Sequence, residues 1–442
     1  MQTFIIPKYE LKNRWDPYYN LPRFKDLYEK LQKCPHHLST LKQESSAIFS
    51  GTTPLSGGDA YTMHNGIPFI RSGDFSEDNI IDFSKVIRIK KEVHNGKMRS
   101  SQLRIGDVLI AIVGATIGKI GVYKYDSEAN INQAICSIRL KKLNPYYVQA
   151  FYQTNVGQLL IEHIKRPVAR ANINLEEVGG LPIPLVDTDL QQKIVDAQKS
   201  AFLDKQKKEE EAIKVLLSID EYLLSELGIE RPSPTRTEIG RFFYTSFRNI
   251  MGGELAPLSV KNKGQQSKSA LYKETKLSTI ATIEKGQAIT SKDIISGDYP
   301  VIAGGQSSPY NHNQYNYKGN VVTVSASGAY SGYVWYHDYP IFASDCSVIY
   351  SKDEKMYLTK YIYEILHLRQ QEIYLLQKGA GQPHVYASDL AQITIPIIPL
   401  EKQREIIMHC NKLRATAEKL KQEGMNLVES VKKTIEAMIL GE

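Results

Sequence analysis

Three stretches of this chain carry side chains of the types that act chemically on nucleic acids. Asn144-Pro145-Tyr146-Tyr147 has the outline of the Asn-Pro-Pro-Tyr loop of adenine-N6 methyltransferases. It lacks the second proline, and no glycine-rich cofactor loop between strand and helix precedes it, so a helix start is the better reading. Glu274-Thr275-Lys276 has the E-x-K spacing of a nuclease strand, but it lies in a Lys-rich stretch without a partnered aspartate. No G-x-x-x-x-G-K-[ST] loop occurs, which excludes a P-loop ATP engine. Asp345 and Asp389 are isolated carboxylates, expected in turns or caps. Gly114-Ala115-Thr116-Ile117-Gly118 and Ser327-Gly328-Ala329-Tyr330-Ser331-Gly332 each run from one strand toward another and read as tight turns rather than phosphate cradles. The chain reads as a binder without chemistry of its own.

Binding candidates are better represented. Arg71 ends one strand candidate, and Arg88, Lys90 and Lys91 lead into a loop carrying His94, Asn95, Lys97 and Arg99. Such a basic, amide-bearing loop can neutralise phosphates and present paired donors to base edges; a solvated charged loop is the competing reading. Further along, His312, Asn313, Gln314, Tyr315, Tyr317 and Lys318 alternate amides with tyrosines, and Tyr330 and Tyr333 follow. Amides pair with adenine edges, and tyrosines contact phosphates or sugars. A third candidate occurs twice, as Arg166 to Asn172 (with Arg170) and as Lys378 to His384 (with Gln382), the latter followed by Tyr386. Recurrence at one structural position favours DNA contact over a plain turn.

The elements that must position these residues come in two copies. Ile161 to Val178 lies over Ile373 to Leu390 without a gap, and Leu181-Pro182-Ile183-Pro184 returns as Ile393-Thr394-Ile395-Pro396. A repeat of that length is a whole domain rather than a solenoid unit. With 442 residues the chain has room for two domains and connectors. Strands are expected at Ile67 to Arg71, Lys85 to Lys90, Asp107 to Val113 and Ala134 to Leu140, and a helix over Asn144 to Ile164. Leu277-Ser278-Thr279-Ile280 echoes Leu38-Ser39-Thr40-Leu41, and Lys261 to Lys276 reads as a flexible connection. The entry segments Arg14 to Pro17 and Glu254 to Pro257 are more faintly alike.

A long charged helix follows each copy. The first, Thr188 to Leu227, opens on a T-x-x-Q capping box formed by Thr188 and Gln191 and stops at Gly228. At about 1.5 Å per residue it makes a rod of roughly 60 Å. In the second, Ile406, Cys410, Leu413, Ala417, Leu420, Gly424, Leu427, Val431 and Met438 fall at alternating spacings of four and three, a coiled-coil seam. The two helices are expected to pair antiparallel and to space the domains. The fold class is therefore α/β (mixed α+β), with similar domains at 1–186 and 229–398 (its linker 229–276) and helices at 187–228 and 399–442.

A net charge of +7 leans toward a polyanionic partner. Four scattered cysteines, with no C-x-x-C pair, read as free thiols. No signal peptide and no apolar run of membrane length is visible, so a soluble, cytoplasmic protein is expected.

The turn Gly379-Ala380-Gly381-Gln382-Pro383-His384-Val385, followed by Ile395-Pro396-Ile397-Ile398-Pro399-Leu400-Glu401-Lys402-Gln403 and a coiled-coil helix, resembles the specificity subunit of type I restriction–modification enzymes. The first copy, Arg170-Ala171-Asn172-Ile173-Asn174 with Leu181 to Pro184 and Gln191, is similar but lacks the glycines and the histidine. The resemblance covers nearly the whole chain. It implies that each domain reads one half of a split double-stranded DNA target and that the helix pair sets the spacer. It implies docking of two modification subunits on the helices, for which Gln191, Ile194, Gln403, Ile406, Leu413, Leu420 and Val431 are the expected interface. It also implies restriction subunits, with S-adenosylmethionine, ATP and magnesium belonging to the partners and no cofactor or metal bound by this chain. The alternatives are a self-contained methyltransferase or nuclease with unrecognised motifs, and a coiled-coil interaction protein whose basic loops never meet DNA.

Overall fold

A computed structural model of the chain describes residues 14–54, 58–76, 81–83, 85–166, 171–231, 238–239, 242–243, 267–308, 310–379 and 381–441. Arg170, most of 232–266, and with it the segment Glu254 to Pro257, lie outside the described residues. The chain divides into two units, residues 1–209 with 421–442, and residues 210–420. The division falls inside the two long helices, Thr188–Leu227 and Leu400–Leu440, rather than at their ends. The reason is burial. Ile194 packs into the first core, whereas Ile219, Leu223 and Leu227 pack into the second. Ile406 and Cys410 belong to the second core, whereas Ile435, Ile439 and Leu440 return to the first.

In the first unit an antiparallel sheet has the order Ser45–Ser50, Ile135–Leu140, Val108–Ala111, Ile120–Val122. Val108 to Ala111 is buried throughout, as a continuous apolar run in a two-sided core should be. A second sheet pairs Ile67–Ile70 antiparallel with Ile87–Ile89 and parallel with Asn130–Ile131. The expected strands are present, shortened at their ends. The helix expected over Asn144 to Ile164 is two helices, Pro145–Gln153 and Asn155–Ile164. Thr154 makes the break: its hydroxyl accepts the Gly157 N–H and so caps the second helix.

The second unit repeats this plan with Ala281–Lys285, Cys346–Ser351, Val321–Ser325 and Val334–His337 in the same order. Its parallel pair is Tyr299–Ile302 with Phe342–Ala343. The Pro-flanked strands are matched as well: Pro182–Leu185 pairs with His37–Thr40, and Thr394–Pro396 with Glu274–Lys276. Leu41 N–H donates to Leu181 O and Leu277 N–H to Ile393 O, so Leu277 corresponds to Leu41 and not to Leu38. Strand pairing, which fixes register through the backbone, decides the alignment here over residue identity. Gly51 and Gly286 occupy equivalent places, where an added Cβ would lie 1.7 Å from Ile131 O and 2.1 Å from Ser344 O.

The start of the first long helix differs from the expected capping box. Asp187 is the cap, its carboxylate accepting the Leu190 N–H at 2.8 Å. Gln191 turns away into the domain, its Oε1 accepting the Asn144 N–H at 2.9 Å and its Nε2 donating to Val186 O at 3.0 Å. Gln403 does the same in the second unit, accepting from Leu358 N and donating to Met356 O and Ile398 O.

Within each unit the two helices run antiparallel. Lys208 pairs with Glu423 in the first unit, and Glu226 with Lys402 in the second. Gly424 lets the backbones close: its position for a Cβ is 3.4 Å from Lys205 Cα. The seam follows the expected residues as far as Gly424 and then shifts by one, burying Val428, Ile435 and Ile439 while Leu427 and Met438 face solvent. A straight helix turns every 3.6 residues, so a strict 3.5-residue seam drifts off its face over several heptads. Among the described residues no helix is long and apolar enough to cross a membrane.

Candidate nucleic-acid interface

In the first unit the basic loop is built on a buried polar network. His94 is 2% exposed; its Nδ1 meets Asn130 Oδ1 at 2.5 Å, and Asn130 donates to Met98 O and Ser101 Oγ. The ring that the sequence offers to DNA is therefore part of the scaffold. What the network presents outward is Lys91, Asn95, Lys97 and Arg99, all exposed, on the short helices Lys91–Asn95 and Arg99–Ser101 and the turn between them. Arg71, Arg88 and Lys90 are tied down: Arg71 to the Asp74 carboxylate, Arg88 to Gly66 O at 2.8 Å, and Lys90 to Asp59. The Asp74 hydrogen bonds raise the Arg71 pKa further. Beside them lies an open cavity of about 1050 Å³ lined by Thr53, Tyr61, Met63, Arg71, Phe83 and Arg88.

In the second unit the amide–tyrosine run alternates between scaffold and surface. His312 is buried, accepting the Ile295 N–H, and Asn316 is clamped to Ala343 through both ends of its amide. Tyr317 donates to Glu284 at 2.9 Å, and burial raises its pKa. Asn313, Gln314, Tyr315 and Lys318 remain exposed, with Tyr310 beside them and Tyr315 set edge-on against Tyr299.

The duplicated turns have one construction. Asn172 bridges both Arg166 and Val113, and His384 bridges both Lys378 and Ser327. Each turn is thereby clipped to its glycine hairpin, with Gly114 N–H donating to Ala171 O and Gly328 N–H to Pro383 O. Each basic residue has an acid in the helix that follows: Arg166 with Glu177 at 3.0 Å, Lys378 with Asp389 at 3.0 Å. Gln382, Tyr386 and Tyr330 are exposed, Tyr333 is half-buried, and the His384 and Tyr386 rings stack. Sequence reasoning passed over the loop 303–308, which Ser325 Oγ holds through Ala303 O and Gly305 O, and which places exposed Gln306 beside this cluster. An Ala-Gly-Gly-Gln-Ser run has no periodicity to flag it.

The residues that looked catalytic are used structurally. Asn144 caps the helix Pro145–Gln153 through its side chain. Glu274 pairs with Arg369 at 2.8 Å, and Arg369 is 1% exposed. Asp345 accepts from Ser327, and Asp389 holds Lys378.

The residues offered as a partner interface divide in two. Gln191, Ile194, Gln403 and Ile406 are buried in their own units, where they bind helix to domain, and so present nothing to a partner. Leu413, Leu420 and Val431 are half-buried. The apolar side chains that the helices do expose include Leu203, Met425 and Met438 in the first unit and Ile213, Leu217 and Met408 in the second.

Repeated α/β domains with divergent exposed loops, each carrying halves of two long helices, define a class of two-domain recognition scaffold. The chain matches the type I restriction modification DNA specificity domain family over residues 46–216 and 269–426, and it belongs to that family. It is 30% identical over 142 residues to the type I restriction enzyme EcoBI specificity subunit of Escherichia coli, a match spanning 32% of this chain and 29% of that relative's length. A chain from a structure on complex assembly and conformational transition of the type I R-M system shares the fold, with a TM-score of 0.51, 15% identity and coverage of 92% of this chain and 97% of that one. The S subunit of a type I restriction–modification system from M. genitalium aligns at a TM-score of 0.40 and 14% identity, over 92% of this chain and 96% of that one.

Proposed function

We propose that this chain is the DNA-recognition subunit of a type I restriction–modification complex, each unit reading one half of a bipartite double-stranded target. The observation that carries this reading is one scaffold used twice with different exposed side chains. Lys91, Asn95, Lys97 and Arg99 stand out from the first copy; Asn313, Gln314, Tyr315, Gln382 and Tyr386 stand out from the second. Matched backbones with divergent loops suit two different sequences better than one sequence read twice. The lysines and arginine supply phosphate contacts, and the amides supply paired donors and acceptors for adenine edges. The exposed apolar residues of the helices are the docking surface for modification subunits, in place of the buried glutamines and isoleucines.

Catalysis resides in those partners, since the Asn144 and Glu274 side chains are committed to a cap and an ion pair. S-adenosylmethionine, ATP and magnesium belong to the modification and restriction subunits, and the complex works in the cytoplasm, where its DNA is. The test is methylome sequencing after co-expression with the cognate modification subunit. A bipartite motif is expected, and exchanging Tyr310 to Lys318 should alter one half of it. Loss of both halves together, or methylation or cleavage by the purified chain alone, overturns the reading.

A further inference from the structure

The first unit holds a cavity of about 470 Å³ between its sheet, the helix Pro145–Gln153 and the start of the first long helix. Its walls include Val122, Tyr125, Tyr146, Gln149, Val195 and Phe202. The second unit shows what the same place looks like when filled. Matched hydrogen bonds fix the correspondence: Tyr147 OH donates to Pro184 O as Tyr361 OH does to Pro396 O, and Gln191 accepts from Asn144 N as Gln403 does from Leu358 N. In this alignment Val122, Tyr146, Gln149 and Phe202 stand where Tyr336, Lys360, Tyr363 and Arg414 stand.

Those four side chains form a stack. Lys360 Nζ lies 3.8 Å from the Tyr336 ring centre and 4.5 Å from that of Tyr363, and the Arg414 guanidinium lies 5.3 Å from Tyr363 on its own account. Arg414 is held by both oxygens of Glu364, at 2.7 and 2.6 Å. Ala150 stands in the place of Glu364, so the first unit has neither the ring, nor the guanidinium, nor the carboxylate that would hold it.

We propose that this cavity receives an aromatic side chain of the modification subunit, doing from outside what Tyr363 does from within in the second unit. This deepens the docking proposed above and rests on it. Val122, Val195, Phe202, Tyr125 and Tyr146 give the walls their aromatic and aliphatic faces, against which an aromatic anchor packs, and Gln149 and Gln198 add polar groups beside them. The rim carries Lys124 and Lys199, both exposed and neither with an ion-pair partner among the described residues, beside a single carboxylate, Asp196, that already accepts from Gln192 at 2.9 Å. Two cations beside an open aromatic pocket favour an incoming ring with an acidic neighbour, through cation–π and charge attraction together.

The test fills the cavity with this chain's own solution. Val122→Tyr with Gln149→Tyr places the rings of the second unit into the first; Lys199→Glu, on an exposed helical site, reverses the rim charge without touching the core. Binding of the purified modification subunit to the full-length chain is measured by calorimetry, with specific DNA binding and hydrogen-exchange protection of Val108–Ala111 in the first unit as checks on folding. The double variant should bind at least 10-fold more weakly and Lys199→Glu several-fold more weakly, both with DNA binding retained. Wild-type affinity in both variants overturns the inference, as does weakening only in a variant that has lost exchange protection in the first unit. Failure of the wild-type chain to bind the modification subunit at all refutes instead the reading on which the inference rests.

Discussion

Replacing Gln403 by leucine tests how the long helix is fastened to its domain. The side chain is fully buried, its Oε1 accepting the Leu358 N–H at 2.8 Å and its Nε2 donating to Met356 O at 2.9 Å and Ile398 O at 3.1 Å. Leucine fills a similar volume but leaves the Leu358 N–H orphaned at the start of the helix Thr359–Leu368, with two carbonyls under-satisfied. At about 1 kcal/mol net per lost bond, and somewhat more for the orphaned donor, the second unit should lose about 3–4 kcal/mol. Gln191→Leu breaks two such bonds, to Asn144 N and Val186 O, and should cost the first unit about 2–3 kcal/mol. Two units need not unfold together, so a single melting temperature is the wrong readout. Hydrogen exchange against urea, followed on peptides covering Val321–Ser325 and Val108–Ala111, resolves each unit. Gln403→Leu should lower protection in the second unit and leave the first near wild type. A loss below about 1 kcal/mol, or an equal loss in both units, refutes the assignment of these glutamines as the fastening.

Arg414→Met strands the fully buried Glu364 carboxylate and should destabilise the second unit by about 3–5 kcal/mol, with Glu364→Gln added to it restoring part of the loss in the same exchange assay. Burial lowers the pKa values of His163 and His337 from the ordinary 6.5 to about 4, one in each unit. Both are neutral when folded and protonate more readily when unfolded, so the stability they contribute is complete above about 6.5 and is lost as pH falls toward 4. Urea midpoints measured across that window should fall in both units, and His337→Gln should flatten the fall in the second unit alone. Lys97→Ala and Arg99→Ala should each reduce the slope of log affinity against log salt by about 1, whatever the sequence of the DNA. Gln382→Ala should instead weaken the specific target by about 1–3 kcal/mol and relax one half-site, read by filter binding against substituted duplexes.

Several expectations depended on patterns that survive without coordinates. The duplicated blocks, the short strands around Val108 to Ala111 and the two long helices are written in apolar periodicity and in repeated identities, and the structure has them where periodicity is strong. Expectations that depended on a single side chain's direction fared differently. Thr188 and Gln191 have the spacing of a capping box, yet Asp187 caps, because a buried backbone donor at Asn144 takes the Gln191 amide. His94 and His312 sit in polar loops and read as contacts, yet both are buried braces, because a loop that presents lysines or tyrosines needs something rigid beneath it.

The sequence by itself determined that the chain is a repeat, that its copies are α/β domains each followed by a long helix, and that the amides, tyrosines and basic residues gather in loops. Periodicity and identity are local properties, and each position declares them without reference to distant partners. Only the tertiary structure decided that the helices divide between two units, that Gln191 and Gln403 face inward, and that one cavity stands open where its twin is filled by Tyr363 and Arg414. Those outcomes depend on which buried donors, cations and rings meet across 45 or more residues of chain, and no local pattern encodes such a meeting.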